Sequence, residues 1–447
     1  SSSSKIGPSS ARTTMGDRRR TVARRLGTLS DETFSSLRVR NFRLFFLGQG
    51  TSQIGNWLTF VAQILLVLKI TGDGVAVGVL TACQFAPVLV LGAWTGLVAD
   101  RSDKRKLLIT VQFFAMVQSF GIAALAFMDH PPLVGLYAVA LAGGVAFAFD
   151  NPARRTFVVE MVPDDLVHNA VSLNSAMMTT ARVLGPALAG LLISTVGYGW
   201  CFVADGLTYL PAIVAFAAMR ASELRSPPAT IRARGQIREG LRYAARVPEL
   251  AIPLLMTVVI GTLAFNFQVV FPLMVTRTFH SAETSFTLLF SVISLGSLAG
   301  ALQSARRRSV DIRDVAVAAG AFGIAMLMFA AAPSLAWAYP LGVIVGFTSV
   351  SFLTASTAIV QVHAAAEMRG RILALQAIVF LGSTPIGGPL LGWFADTFGP
   401  RAAVALGGTA TCAAAIWGVL ADRRRLRGLP ETPEPTDPDA LPIPEPA

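Results

Sequence analysis

Charge is what this chain has least of. Only 14% of its 447 residues are Asp, Glu, Lys or Arg, against about a quarter in soluble domains. That deficit argues against an ordinary soluble globular chain. Cysteine is scarce too: Cys83, Cys201 and Cys412 each lie inside an apolar run and are odd in number. They read as small core residues, without a disulfide framework or a thiolate metal site. The four histidines, His130, His168, His280 and His363, fall near the ends of different apolar runs, a spacing that builds neither a metal cluster nor a membrane-protease motif. A Gly-x4-Gly-Lys-Ser/Thr phosphate loop is missing, which argues against ATP hydrolysis, and so is a filter-like channel loop. No enzyme chemistry and no cofactor are expected. The first apolar run opens only near Phe42, so no cleavable signal peptide is expected either.

What is present is apolar surface. Hydrophobic residues make up 53% of the chain and the mean hydropathy is +0.59. At about 20 residues per crossing, roughly 12 spans fit. They are expected at 42–70, 74–99, 106–128, 132–157, 167–196, 199–219, 250–277, 283–305, 314–332, 336–362, 367–397 and 400–421. A net charge of +11 would suit nucleic acid, but the basic residues sit between the spans, where they set orientation instead. One set of alternate loops and span ends holds Arg101, Lys104–Lys106, Arg154, Arg155, the Arg220–Arg246 cluster, Arg306–Arg308, Arg369, Arg371 and Arg423–Arg427. The opposite set holds Lys69, Arg277 and Arg401. Both termini are therefore expected in the cytoplasm. Arg outnumbers Lys by 33 to 4 and Ala is abundant, a composition typical of a GC-rich bacterial genome. The expected location is the bacterial inner membrane, in contact with lipid.

Five regions follow. Residues 1–41 read as a disordered cytoplasmic arm, 42–219 as a first six-helix bundle, and 220–249 as a cytoplasmic central loop. Residues 250–421 read as a second bundle, and 422–447 as a disordered Pro-rich tail. In the central loop Arg234, Arg238 and Arg242 recur every four residues. That spacing suits a helix on the membrane surface or, equally, a solvated linker. A repeat supports the two bundles: Val183–Gly190 recurs approximately as Ile386–Gly392, with Pro186 and Pro389 203 residues apart.

Small residues recur four apart: Gly92 and Gly96, Ala181, Gly185 and Ala189, Gly296 and Gly300, Gly388 and Gly392. Such stripes let helix backbones touch inside lipid, and together they suggest contacts between the halves. The second span ends in Asp100, Arg101, Asp103, Lys104, Arg105 and Lys106. A tight charged turn there can latch one bundle against the other or simply mark the positive side.

Arg182 is the most conspicuous charge within a span, near mid-membrane by residue count. Asp150 in the fourth span is nearer in height than Asp205 in the sixth, so an Asp150–Arg182 pair is expected. The alternative is that Arg182 bonds carbonyls freed near Pro186. Asp150, Arg182 and Asp205 are the candidate coupling residues, Asp150 first. The alternative for Asp150 is pairing with Arg154 and Arg155. Gln49, Gln53, Asn56 and Gln63 share one face of the first span, which either lines a watery cavity or bonds neighbouring helices. Trp57, Phe60 and Asn266 are further cavity candidates, suited to an apolar or aromatic substrate.

These motifs carry a resemblance. Gly96-Leu-Val-Ala-Asp-Arg-Ser-Asp-Lys-Arg-Lys106 resembles the loop motif after the second helix of the major facilitator superfamily, with Asp103 at a position usually glycine. Ala181-Arg-Val-Leu-Gly-Pro-Ala-Leu-Ala-Gly190 is similar to the fifth-helix motif of its antiporters, Gly185, Pro186 and Gly190 being its marks. Asn41-Phe-Arg-Leu-Phe-Phe, Gly55-Asn-Trp57, Asn151-Pro-Ala-Arg154 and Asn169-Ala-Val-Ser-Leu-Asn174 resemble the efflux branch that includes the enterobactin exporter and macrolide efflux proteins. The resemblance implies twelve transmembrane helices in two pseudo-symmetric six-helix bundles. It implies alternating-access export of a small amphipathic molecule, siderophore- or drug-like, by proton antiport and as a monomer. Asp100 would then meet the start of the eleventh helix, where Glu367, Arg369 and Arg371 lie. An importer on the same fold and a non-transporting membrane sensor are the alternatives.

Overall fold

The chain meets a solvent that offers no hydrogen bonds, so each spanning segment must satisfy its own backbone, and helices do that. A computed structural model describes residues 33–225, 236–304 and 310–427. Among these, twelve helices are long and apolar enough to cross a membrane. The first six are α1 (Arg40–Thr71), α2 (Gly74–Arg101), α3 (Lys104–Ala126), α4 (Leu133–Glu160), α5 (Val167–Thr195) and α6 (Tyr198–Ala217). The seventh span, α7, runs from Pro248 to Leu263, breaks, and continues as Phe267–Leu273 and a π-helical turn Met274–Thr278. The remainder are α8 (Ser285–Ser304), α9 (Ile312–Ala330), α10 (Leu335–His363), α11 (Ala366–Phe398) and α12 (Pro400–Arg427). Twelve crossings put Arg40 and Arg427 on one side, called here the near side; the other is the far side.

Helix ends follow local chemistry. Gly72 adopts the left-handed φ of 64° that closes α1, and the Asp73 carboxylate then accepts the N–H of Val75 at 2.7 Å to start α2. Asp103 repeats this on the near side, accepting the N–H of Lys106 at 3.1 Å. The α7 break falls at Asn266, whose φ of −97° and ψ of 46° are not helical. The Asn266 Nδ2 donates to the Thr262 carbonyl at 2.8 Å, serving an acceptor that the break sets free.

Within the first half, α1 packs on α5 and α6, α2 on α4, and α3 on α6; within the second, α8 packs on α10 and α9 on α12. The halves meet where α2 crosses α11 and α5 crosses α8. Two aromatic cores fill the bundles. Phe45 stacks between Phe42 and Phe216 at 6.1 Å from each, and Phe271 stacks on Phe329 at 4.4 Å. Lipid is as apolar as these rings, so their attraction is close-packed dispersion, with no gain from leaving water.

The expectations for residues 1–32, Arg234 and residues 428–447 lie outside the described residues. Within the expected N-terminal arm, Ser35–Arg38 form a 3-10 turn. The Ser36 hydroxyl of that turn donates to Asn169 Oδ1 at 2.6 Å. Within the expected tail, α12 runs on to Arg427, and Arg425 pairs with Glu249 and Asp422. The central loop does contain a helix, Gln236–Arg246. It docks on the start of α11 through a 2.6 Å ion pair between Glu239 and Arg371. The Tyr243 hydroxyl also accepts the N–H of Ala365 at 3.2 Å.

Candidate functional site

The contacts between the halves gather toward the far side. Gly74 and Gly78 of α2 face Gly392 and Gly388 of α11, where a Cβ on Gly78 would stand 2.6 Å from the Gly388 carbonyl oxygen. Deeper in, Leu89 of α2 covers Gly382 of α11. Where α5 crosses α8, Gly190 lies against Thr287 and the Ser291 hydroxyl donates to the Val183 carbonyl at 2.9 Å. Small residues therefore do join the halves at Gly388, Gly392 and Gly190. The other stripes lie elsewhere. Gly296 and Gly300 face Val343 and Phe347 of α10 within the second half, Gly185 faces Trp57 and Ile54 of α1 within the first, and Gly92 has open space beside it.

A polar cluster caps this far-side seam. Asp396, near the end of α11, accepts the N–H of Gly74 and of Val75 at 2.9 Å each. It also pairs with Arg277 of α7 at 2.7 Å, and Arg277 donates to the Gly72 carbonyl. Asp73 shares a hydrogen bond with Asp396, which pushes the Asp73 carboxyl above its ordinary 3.8, with desolvation adding to the effect. Beside it, Tyr198 of α6 donates to Glu283 at 2.6 Å across the halves. Sequence reasoning missed this latch. Its one signal was polar residues at the far ends of spans, where the loops are otherwise poor in charge.

The near-side loop makes several contacts within its own half. Gly96 is buried and Asp100 half-buried in the last turns of α2, while Arg101 is exposed. Lys104 pairs with Glu160 of α4 at 2.5 Å. Arg105 donates to the Phe216 and Ala217 carbonyls at 2.6 Å each, a cation placed at the C-terminal end of α6 where the helix dipole favours it. A pocket of about 220 Å³ beneath this loop has Asp103, Lys104, Arg105 and Glu160 in its lining, and Lys104 and Glu160 already match one another there.

The membrane interior differs from expectation. Asp150 pairs with Arg154, one turn along α4, at 3.0 Å, and not with Arg182. A residue four positions away on one helix is a nearer neighbour than one on another helix. The other oxygen, Asp150 Oδ1, is buried without a hydrogen-bond partner. Arg182 instead stacks on rings, its guanidinium 5.3 Å from the Trp57 centroid and 5.9 Å from that of Phe290. Each such contact is worth about 0.5–2 kcal/mol, whereas a charge at mid-bilayer costs about 2.5–3.5 kcal/mol or more. The rings offset much of the cost, but Arg182 Nε is buried without an acceptor.

Asp205 is fully buried. It accepts from Thr59 and Ser119 at 2.7 Å each and binds Thr208 at 3.4 Å, tying α6 to α1 and α3. The amide stripe of α1 is mostly interhelical. Gln49 accepts from Gln112 at 3.1 Å, Gln63 from Gln84 at 2.7 Å, and Asn56 from Tyr209 at 3.2 Å. Gln49, Gln53 and Gln63 are buried, whereas Asn56, Trp57 and Phe60 are half-buried. Asn266 is fully buried at the α7 break, against Gly387 of α11. Its amide serves the backbone there.

Two six-helix halves that meet at α2–α11 and α5–α8 around an interior arginine define a carrier of the major facilitator type. Known proteins agree. The chain belongs to the family described as transmembrane secretion effector, which matches residues 31–441, and is a multi-pass membrane transporter of small molecules. It is 22% identical to macrolide efflux protein A of Streptococcus pyogenes, over 86% of this chain and 97% of that one. It is 25% identical to the multidrug efflux pump Tap of Mycolicibacterium fortuitum, over 79% and 88%. It is also 25% identical to the staphyloferrin A transporter of Staphylococcus aureus, over 38% of this chain and 44% of that relative, under half its length. A bacterial homologue of the human lysosomal transporter Spinster, in an inward-facing and occupied conformation, shares the fold. Its TM-score is 0.70 at 15% identity, over 86% of this chain and 97% of that one.

Proposed function

We propose that the chain exports a small amphipathic molecule, siderophore- or drug-like, by alternating access coupled to proton entry. The observation that carries this reading is the full-length likeness to efflux proteins, 97% of one of them being covered. The seam supports it: closure on the far side suits a carrier waiting to load on the near side, which the basic loops mark as cytoplasmic. In a bacterium this is the cytoplasmic face of the inner membrane.

Asp150 is the proposed proton carrier. It is 5% exposed, one of its oxygens holds Arg154 and the other is without a partner. Protonation would release Arg154, a discrete change of the kind a two-state carrier needs. Asp205, matched by hydroxyls from two other helices and its own, is better suited to holding the first half together. The near-side loop from Gly96 through Asp100, Arg101, Lys104 and Arg105 then braces the half that moves, and one chain suffices for the pathway.

The test is metabolite profiling of the medium around cells expressing the parent or Asp100→Asn at matched membrane levels. A compound enriched outside only with the parent is expected. Depletion of a compound from the medium would replace export with import.

A further inference from the structure

Arg182 has no anion of its own. It lies 15 residues into α5, about 22 Å along the helix axis, and is half-buried there. The two carboxylates that sequence reading offered it are taken, Asp150 by Arg154 and Asp205 by Thr59, Ser119 and Thr208. Among the described residues no ion pair engages it, and Nε finds no acceptor. A guanidinium carries five N–H donors in one plane. Trp57 and Phe290, whose own centroids are 6.0 Å apart, lie together on one side of it, and aromatic rings take none of its N–H donors in line, so the fork that grips a carboxylate with two parallel bonds is still available.

The three residues come from α1, α5 and α8, so an occupant would touch both halves. From Trp57 a run of half-buried rings leads away through Phe60, Phe85 and Phe147, with centroids 5.4, 6.1 and 6.4 Å apart in turn. That run suits an apolar or aromatic body attached to the acidic group. Lipid headgroups are a poor source for the anion, because the hydrocarbon core is about 30 Å thick and Arg182 lies near its middle.

We infer that Arg182, Trp57 and Phe290 form the subsite for the acidic group of an amphipathic organic anion, which the chain carries as substrate. This rests on the transporter reading above and narrows its substrate class. Trp57 reports on the site directly once Trp94, Trp200, Trp337, Trp393 and Trp417, all exposed, are replaced by Phe. The experiment titrates that protein, in uncharged phosphatidylcholine nanodiscs, with 2-naphthoate, its neutral amide 2-naphthamide, and inorganic phosphate, following Trp57 fluorescence.

Saturable quenching by naphthoate at least about tenfold tighter than by the amide is expected. Arg182→Gln should remove that preference and Arg182→Lys should keep part of it. Equal or absent quenching by the two naphthyl probes, or a preference that survives Arg182→Gln, would overturn the proposal. Displacement of naphthoate by phosphate at equal concentration would also overturn it, in favour of a free inorganic anion. Displacement by anionic phosphatidylglycerol in the disc would do so in favour of lipid. If Arg182→Gln does not fold, the ratio of the two naphthyl probes on the parent still decides. Export of a neutral compound in the profiling experiment would leave transport standing and remove this subsite. Anion binding without export would do the reverse.

Discussion

Asp396 accepts the backbone N–H of Gly74 at 2.9 Å and so ties the far end of α11 to the first turn of α2. A carboxylate at a helix N-terminus is favoured by the dipole, and here it also pairs with Arg277. Charge-assisted hydrogen bonds contribute about 1.5–3 kcal/mol when sheltered. Asp396 is only partly sheltered, so the lower end applies and Asp396→Ala should open the far side about tenfold more often. Thr81 is fully buried beside Gly388, which makes it a reporter. In a variant lacking Cys83, Cys201 and Cys412, Thr81→Cys should react slowly with a membrane-impermeant maleimide from the far side. Adding Asp396→Ala should accelerate that reaction by the same factor. An unchanged rate would show that the glycine contacts alone hold the seam.

The same seam should respond to pH through Asp73. Its carboxyl is raised from 3.8 because it shares a hydrogen bond with Asp396. The backbone N–H groups of Val75 and Ala76 act on it in the opposite sense, the Tyr137 hydroxyl feels its charge, and Arg277 pairs with Asp396. Opening separates Asp73 from Asp396 and returns it toward its ordinary value, so the closed form binds the proton more tightly. Its contribution to closure is fully present below 3.8 and is lost as pH rises through the raised value. Labelling of Thr81→Cys should therefore quicken as far-side pH rises through that window. Asp73→Asn, which keeps the hydrogen bond without the titration, should flatten the response.

Much of the fold is legible because the membrane allows so few answers. Twelve apolar runs with little charge have to be helices, so most expected boundaries fall within a few residues of those observed, the end of α12 being the exception. The break in α7 was not legible. Asn266 and Gln268 are two amides in an otherwise largely apolar span, and the close approach of Gly387 to Thr262 and Asn266 at the break is visible only in three dimensions. Interior partners were the other failure. Residue counting gives height but not azimuth, so it placed Asp150 beside Arg182 when Arg154 was one turn away on the same face. The latch of Asp73, Arg277 and Asp396 joins segments more than a hundred residues apart, and no local pattern announces such a meeting.

Glycine spacing misled in an instructive way, and two substitutions separate the cases. A Cβ on Gly78 would press on the Gly388 backbone at 2.6 Å, whereas one on Gly92 would meet open space. Gly78→Val should force α2 from α11 at a cost of about 1–3 kcal/mol, lowering transport and speeding the labelling of Thr81→Cys. Gly92→Val should leave both unchanged. If both variants behave alike, the seam is not where the halves are held.

Asp150 and Asp205 separate proton coupling from structural support. Asp205→Ala leaves the Thr59 hydroxyl without its acceptor, whereas Ser119 keeps the Phe202 carbonyl, a loss of about 1–3 kcal/mol for the group left unsatisfied. A lowered melting temperature in detergent should record it. Asp150→Ala strands Arg154, whose side chain is only 4% exposed, and breaking a buried pair on one side costs about 3–5 kcal/mol. Removing both partners as Asp150→Leu with Arg154→Met takes away the charges together, which is often neutral or stabilising. If Asp150 carries the proton, the double variant should keep or regain thermal stability and still fail to drive export with a proton gradient. A double variant that regains both stability and gradient-driven export would make the pair purely structural and return the coupling role to Asp205.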